Sequence, residues 1–381
     1  MHFLRLVFGG FNPKRMPWAL LVAAVTLSLV GALFITSAES SSYGWRHVRF
    51  LAVGVPVFLF AAAFDYRHLA SLSTVLYVAG MILLGLLPFA GVARHSAVRW
   101  FKMGPHQLQP SEAMKYVVVI ALATYFCYRA RLDRLRDLAV PLALVLAPMA
   151  LVMQQPDLGT SLLFLPAFFT IAFFAGVPLR NLLMVVAGAL VLAAIAWFTP
   201  GVMKDYQKER VRAFLGLETI SSESSTAARA ASYNAEQATV AISGGGLLGQ
   251  GWGRGRSNLL RRVPESHTDF IFPIIAEEWG LARTGALIAV YLLIALVLGQ
   301  IAWQSRDKFG ALVAGGVLTV FAFQSLLHIA ISLRLAPITG LTLPLVSYGG
   351  SSLVSTLGGL GLAASVGARR PRSRADAGEQ G

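Results

Sequence analysis

Cysteine is nearly missing from these 381 residues: Cys127 is the only one, which excludes an intrachain disulfide and a metal cluster built on thiolates. Charge is scarce as well. Only 13% of residues are charged against 56% hydrophobic, and 18 acids face 32 Lys and Arg. A chain so poor in charge cannot cover a soluble surface, and a mean hydropathy of +0.65 belongs to a membrane bundle. A removable signal peptide is not expected either, because the first apolar run follows Lys14 and Arg15 and lacks a small-residue cleavage site. The formal charge of +14 invites nucleic acid as a partner, yet the basic residues fall between apolar runs and not along one soluble face. Membrane lipid of anionic character is the expected partner, and no nucleic acid is. Cys127, inside an apolar run, reads as a buried bystander.

What is present is a series of apolar runs of roughly 20 residues, the length a helix needs to cross about 30 Å of hydrocarbon. With the basic N-terminus set in the cytoplasm by the positive-inside rule, spans fall at about 17–36, 47–64, 69–92, 110–128, 138–153, a sixth ending near Gly176, and then 181–198, 281–303, 309–333 and 352–366. The expected fold is therefore an all-α polytopic membrane protein of about ten transmembrane helices with both termini cytoplasmic. Short inner segments and termini hold about 15 Lys and Arg and short outer loops far fewer, which supports this parity. One large extracytoplasmic loop, about 199–267, lies between helices 7 and 8. It includes a stretch that reads as helical and amphipathic, and a glycine-rich piece, 243–256, that excludes regular helix. Residues 1–368 read as one membrane domain, and 369–381, opening with Arg369, Arg370, Arg372 and Arg374, as a basic disordered cytoplasmic tail.

The run 268–304 is too long for one span and is interrupted by Glu277, Glu278 and Arg283, so a short dipping helix over 269–276 is expected before the span 281–303. Glu277 and Glu278 read as partly solvated, with at most one of them paired to Arg283. With the ten-span topology, the motif-rich segments all face outward. They are Trp100–Lys115, Gln155–Thr160, the stretch around Asp269, and Gly340–Ser352. Proline- and glycine-broken backbone at membrane depth must be buried in protein or line a wet cavity, so a site opening on the outer leaflet is expected.

Each motif carries a plain reading beside a functional one. Glu112 and Lys115 share a helix face, either as an ion pair that admits both charges near the membrane or as a polar wall of a site. Asp157 starts a helix and caps it, or serves the site. Trp100 is an interfacial belt residue or a sugar-stacking platform. Lys204, Lys208, Arg210 and Arg212 form a solvated face or capture an anionic phosphate head group. His267 and Asp269 are only two ligands, too few to argue a metal site. Asp269 is an N-cap or a general base, a carboxylate partly desolvated by Phe270, Ile271 and Phe272 and suited to taking a proton from a sugar hydroxyl.

Gln109-Pro110-Ser111-Glu112 with Lys115, Gln155 to Thr160, His267 to Phe272, and Leu343-Pro344 through Ser347-Tyr348-Gly349-Gly350-Ser351-Ser352 resemble the SEDS proteins (shape, elongation, division and sporulation) in order and spacing, over nearly the whole chain. Gly249-Gln250-Gly251-Trp252-Gly253 is closer to the elongation branch, and Gly340 to Pro344 to the division branch; the elongation branch is preferred. The resemblance implies a glycosyltransferase of the bacterial inner membrane that polymerises lipid II on the extracytoplasmic face. It also implies a class B penicillin-binding protein and other rod-complex membrane proteins as partners. Carried onto this chain, Asp269 is catalytic, and Glu112, Lys115, Trp100, Asp157, Ser111 and Thr268 line or orient the cavity. Lys204, Lys208, Arg210, Arg212, Ser347 and Tyr348 are implied to meet the substrate pyrophosphate. No cofactor or metal held by the protein is implied, only a divalent cation, Mg or Mn, accompanying that pyrophosphate. The competing classes are a transporter that flips a lipid-linked precursor and a non-catalytic scaffold that recruits a synthase. Three departures stand out: His328 where asparagine is usual, Arg334 where glycine is usual, and Arg261-Arg262-Val263 in place of Phe-Leu before Pro264.

Overall fold

The computed structural model describes residues 11–94, 97–104, 106–129, 132–155, 157–199, 208, 226–256 and 267–369. The basic tail beyond Arg369 and most of the 199–267 loop lie outside these. Helices α1 (Trp18–Ala38), α2 (Ser41–Ala63) and α3 (His68–Ala90) lead into three short strands, β1 (Val92–Arg94), β2 (Ala97–Met103) and β3 (His106–Leu108). There follow α4 (Pro110–Cys127), α5 (Ala139–Gln154), α6 (Leu158–Ala175), α7 (Leu179–Phe198), α8 (Thr226–Gly245), α9 (Ile271–Trp303), α10 (Lys308–Ser332) and α11 (Gly350–Ala368). Among the described residues nine helices are long and apolar enough to cross a membrane. The span expected at 110–128 is not among the nine: it is α4, 18 residues long, diluted by Glu112 and Lys115.

The expectation of an all-α chain needs one correction, since β1, β2 and β3 form an antiparallel sheet in that order. Val98, Trp100 and Phe101 are the β-branched and aromatic types that suit a strand. A three-stranded ribbon also pairs its own backbone groups in a loop that sits over the bundle end.

The core is built on α4, α10 and α11, whose faces are buried almost all round, with α6 beside them. α11 presses closely on α2 because glycine permits it: a Cβ at Gly361 would overlap the Phe58 carbonyl. α7 is the opposite case. Only Asn181 and Leu182 are buried on it, so its apolar surface faces the hydrocarbon. At the far end, Arg369, which the sequence reading assigns to the tail, is buried. It donates to the carbonyls of Ala62 (3.3 Å) and Ala63 (2.6 Å) and pairs with Asp65 (3.6 Å), closing the C-terminus of α2.

The expected break in the 268–304 run is present. Gly280 (φ 74°, ψ 175°) interrupts α9, leaving helical pieces 271–279 and 281–303. The interruption exposes backbone groups that no lipid can satisfy. They are met by the glycine-rich stretch that follows α8: Gln250 N and Gly251 N donate to the carbonyls of Glu277 and Glu278, both at 3.0 Å. In return, Leu281 N and Ala282 N donate to Gly246 O (2.8 Å) and Leu247 O (3.1 Å). Such interlocking needs the absence of side chains at Gly249 and Gly280, where a Cβ on either would collide with the other's backbone. The sequence excluded helix over 243–256, but α8 runs through Gly245; irregular backbone begins at Gly246.

Glu277 and Glu278 are likewise not half-solvated. They are 1% and 0% exposed beneath that glycine stretch. Glu278 accepts hydrogen bonds from Ser37 Oγ (2.6 Å) and Gly253 N (3.0 Å), which tie it to α1 and the glycine stretch.

Candidate functional site

Four segments converge at one end of the bundle: the starts of α4 and α6, the turn 267–270 before α9, and the long connection 333–349 before α11. Gln109 ties the starts of α4 and α6 to each other and to the first turn of α11. Its backbone N donates to Ser351 Oγ (3.0 Å), and its side-chain amide donates to Ser111 Oγ (3.1 Å) and Asp157 Oδ2 (3.0 Å).

On α4, Pro110 occupies the first turn, where its missing N–H costs nothing, and Glu112 sits beside the positive end of the helix dipole. Lys115 follows one turn later. Its Nζ lies 2.8 Å from Glu112 Oε2 and 2.8 Å from Gln324 Oε1, with side-chain exposures of 0% for Lys115 and 6% for Glu112. The ion pair expected from the spacing is therefore real and buried, and it has a third member that the sequence did not announce.

Asp157 is the N-cap of α6, its Oδ1 accepting from Thr160 N at 3.2 Å. Burial pushes its carboxyl above the usual range, while Arg99 and the Thr160 hydrogen bonds pull it down. Arg99 reaches the same turn from β2, donating from Nε to Gln155 O at 2.8 Å. Trp100, the next residue on β2, is half-buried and pairs across the ribbon with Val92.

The connection 333–349 has no regular structure, so its backbone carbonyls need partners from elsewhere. Side chains from three helices supply them. His328 Nδ1 meets Leu341 O at 2.7 Å, Gln324 Nε2 meets Thr342 O at 2.9 Å, Tyr291 Oη meets Pro344 O at 2.6 Å and His47 Nε2 meets Leu345 O at 3.3 Å. A carbonyl can only accept, so His328 carries its proton on Nδ1 and His47 on Nε2. Ser347 Oγ accepts from Leu343 N (2.8 Å) and donates to Thr268 O (2.7 Å), while Tyr348 N donates to His267 O (2.9 Å). The Ser347 hydroxyl thus joins the connection to the turn before α9. Tyr348 instead presents its ring to Tyr43 and His267, at centroid distances of 5.0 and 5.8 Å, and Glu39 lies 3.6 Å from His267 Nδ1.

These ties fix the backbone that leads into Asp269. The residue is half-buried between Thr268 and the buried Phe270. It is not the N-cap of α9: Phe270 holds that position, and no side chain caps it. The carboxylate lies against Gly340 (φ +73°), where an added Cβ would come 3.5 Å from Oδ2. Of the basic residues expected to face pyrophosphate, Lys204, Arg210 and Arg212 lie outside the described residues, and Lys208 is half-buried. Among the described residues no three His, Cys, Asp or Glu side chains converge to hold a metal.

The cell cycle protein family of FtsW, RodA and SpoVE matches residues 15–371. The chain belongs to that family. The peptidoglycan glycosyltransferase MrdB of Escherichia coli strain K12 is 32% identical over 349 residues, 91% of this chain and 92% of that protein. A chain solved for the structural coordination of polymerization and crosslinking by a peptidoglycan synthase complex matches with TM-score 0.79 at 30% identity, covering 94% of this chain and 97% of that one. The crystal structure of the rod shape determining protein RodA of Thermus thermophilus matches at TM-score 0.69 and 28% identity, covering 94% and 98%.

Two departures from the family pattern find a physical setting. His328 supplies the donor to Leu341 O that an asparagine amide also offers. Arg334 takes φ 58°, a left-handed conformation in which the usual glycine carries no Cβ penalty.

Proposed function

We propose that this multi-pass membrane protein is a peptidoglycan glycosyltransferase that polymerises lipid II during cell elongation, on the extracytoplasmic face of the bacterial inner membrane, with Asp269 as general base. The observation that carries the reading is the setting of Asp269. It is half-buried on a turn whose preceding backbone is held at His267 and Thr268, at the bundle end that also holds the Glu112–Lys115 pair and Asp157. Partial desolvation makes a carboxylate a stronger base toward a neutral hydroxyl, and a held backbone keeps it in reach of one.

Asp269 takes the proton of the acceptor GlcNAc 4-hydroxyl as that oxygen attacks the donor MurNAc anomeric carbon. The bond to the undecaprenyl pyrophosphate breaks, and the configuration at the anomeric carbon inverts. The leaving pyrophosphate gathers charge, which Lys204, Lys208, Arg210 and Arg212 offset, along with any Mg or Mn ion that arrives with the substrate. Elongation is supported by the Gly249 to Gly253 motif and by the likeness to MrdB and RodA. A class B penicillin-binding protein as partner is supported by the likeness to a chain of a peptidoglycan synthase complex.

Purified protein supplied with labelled lipid II tests the reading. Glycan strands should form, and Asp269→Asn should reduce them by about 10²–10⁴-fold, the usual worth of a general base. Undiminished strands from Asp269→Asn remove Asp269 as the base. Translocation of lipid II without polymer turns the reading to a flippase, and neither activity turns it to a scaffold.

A further inference from the structure

We propose that Gln324 is a positioning residue whose amide clamps the buried Glu112–Lys115 pair of α4 to the connection that backs Asp269. The proposal rests on the reading of Asp269 as the base. Gln324 lies on α10 and is 1% exposed. Its two ends have opposite chemistry, and each neighbour accepts only one of them. The Lys115 ammonium can only donate, so Oε1 must face it, at 2.8 Å. The Thr342 carbonyl can only accept, so Nε2 must face that, at 2.9 Å, with Thr342 Oγ1 at 3.4 Å. A flipped amide would set like against like at both ends, so the orientation is fixed by its surroundings.

Thr342 is two residues from Gly340, whose backbone lies against Asp269 Oδ2. Farther along, Ser347 and Tyr348 hold the carbonyls of Thr268 and His267. A shift of Lys115 is therefore transmitted through one rigid amide to the connection that lies against the base and holds the backbone leading into it. His328, Tyr291 and His47 hold the same connection, but none of them also binds Lys115. That dual attachment separates Gln324 from a residue that merely fills space.

The test uses the full-length protein and labelled lipid II. Gln324→Glu keeps an acceptor for Lys115 and sets an oxygen against the Thr342 carbonyl, opening the clamp at one end. Gln324→Met keeps the length and opens both. Each should lower kcat by roughly 10- to 100-fold, the loss expected when reacting groups move by about 1 Å, with KM for lipid II unchanged within about twofold. Tyr291→Phe, which frees a carbonyl of the same connection without touching Lys115, should lower kcat far less at an equal fall in melting temperature. The proposal is overturned if Gln324→Glu retains wild-type kcat, or if all three variants lose kcat in step with stability. Should Gln324→Met fail to purify as a monodisperse protein, the Gln324→Glu result decides alone. Asp269→Asn runs alongside: if it is inactive while Gln324→Glu is fully active, only the clamp is lost, whereas an active Asp269→Asn removes the base and the clamp together.

Discussion

Lys115→Met is the most informative test of how the bundle tolerates buried charge. Met preserves the length and the apolar stem of the side chain and deletes only the ammonium. Glu112 then keeps a carboxylate in a site where its side chain is 6% exposed, without the partner at 2.8 Å, and Gln324 Oε1 loses its donor. Breaking a buried pair from one side costs about 3–5 kcal/mol, most of it the stranded charge. The unsatisfied Gln324 acceptor falls in the range of about 1–3 kcal/mol on its own and overlaps with that figure, because Gln324 and Glu112 share the ammonium. A total near 4 kcal/mol is expected, on the order of a third or more of a typical domain's whole stability. Glu112→Gln combined with Lys115→Met removes both charges and should recover at least half of the loss, since neutral replacement of a buried pair is often nearly free. Denaturant titration in detergent micelles, followed by Trp fluorescence, measures all three. The reasoning is refuted if the single variant lies within about 1 kcal/mol of wild type, or if the double variant is no more stable than the single.

Gly280→Ala should be severely destabilising, because φ 74° costs an L-residue roughly 1–2 kcal/mol and the added Cβ collides with Gly249 N; an unchanged melting temperature would count against the interlock. Asp157→Ala should cost about 1 kcal/mol through loss of the α6 cap, whereas Asp157→Asn keeps an acceptor for Thr160 N, loses the bond from Gln109 and should cost less than the alanine variant. The Asp157 carboxyl is raised in the folded protein, so its contribution is full below the ordinary carboxylate range and is lost as pH rises through the folded value. The stability of Asp157→Asn relative to wild type should therefore rise with pH in that window, and a pH-independent difference between the two melting curves would contradict the assignment.

Local chemistry was legible in the sequence wherever both partners lie within a few residues. Glu112 and Lys115, three apart on one helix, form the expected pair, and Asp157 caps α6 by accepting from a residue three positions on. The break ahead of span 281–303 was also readable, because acids in an overlong apolar run demand one. Long-range partners were not readable. Gln324 is 209 positions from Lys115, and Glu278 is 241 from Ser37, so no window of sequence contains either contact. For the same reason Glu277 and Glu278 looked half-solvated: what buries them is a glycine stretch whose only signature is the lack of side chains. Asp269 shows a finer limit, since cap and pre-cap positions differ by one residue and the sequence admits both.

The interlock between the glycine stretch and the broken helix bears on how this chain is assembled and engineered. Its two halves are only about 30 residues apart, so the loop entropy lost in closing it is modest, and the contact can form soon after span 281–303 enters the membrane. The same proximity defines a unit for exchange. A chimera that swaps the segment between α7 and α9 for a relative's should carry residues 246–253 and 277–282 as one block. Joining donor and recipient between them would pair two backbones shaped for different partners and leave carbonyls of a severed helix facing hydrocarbon.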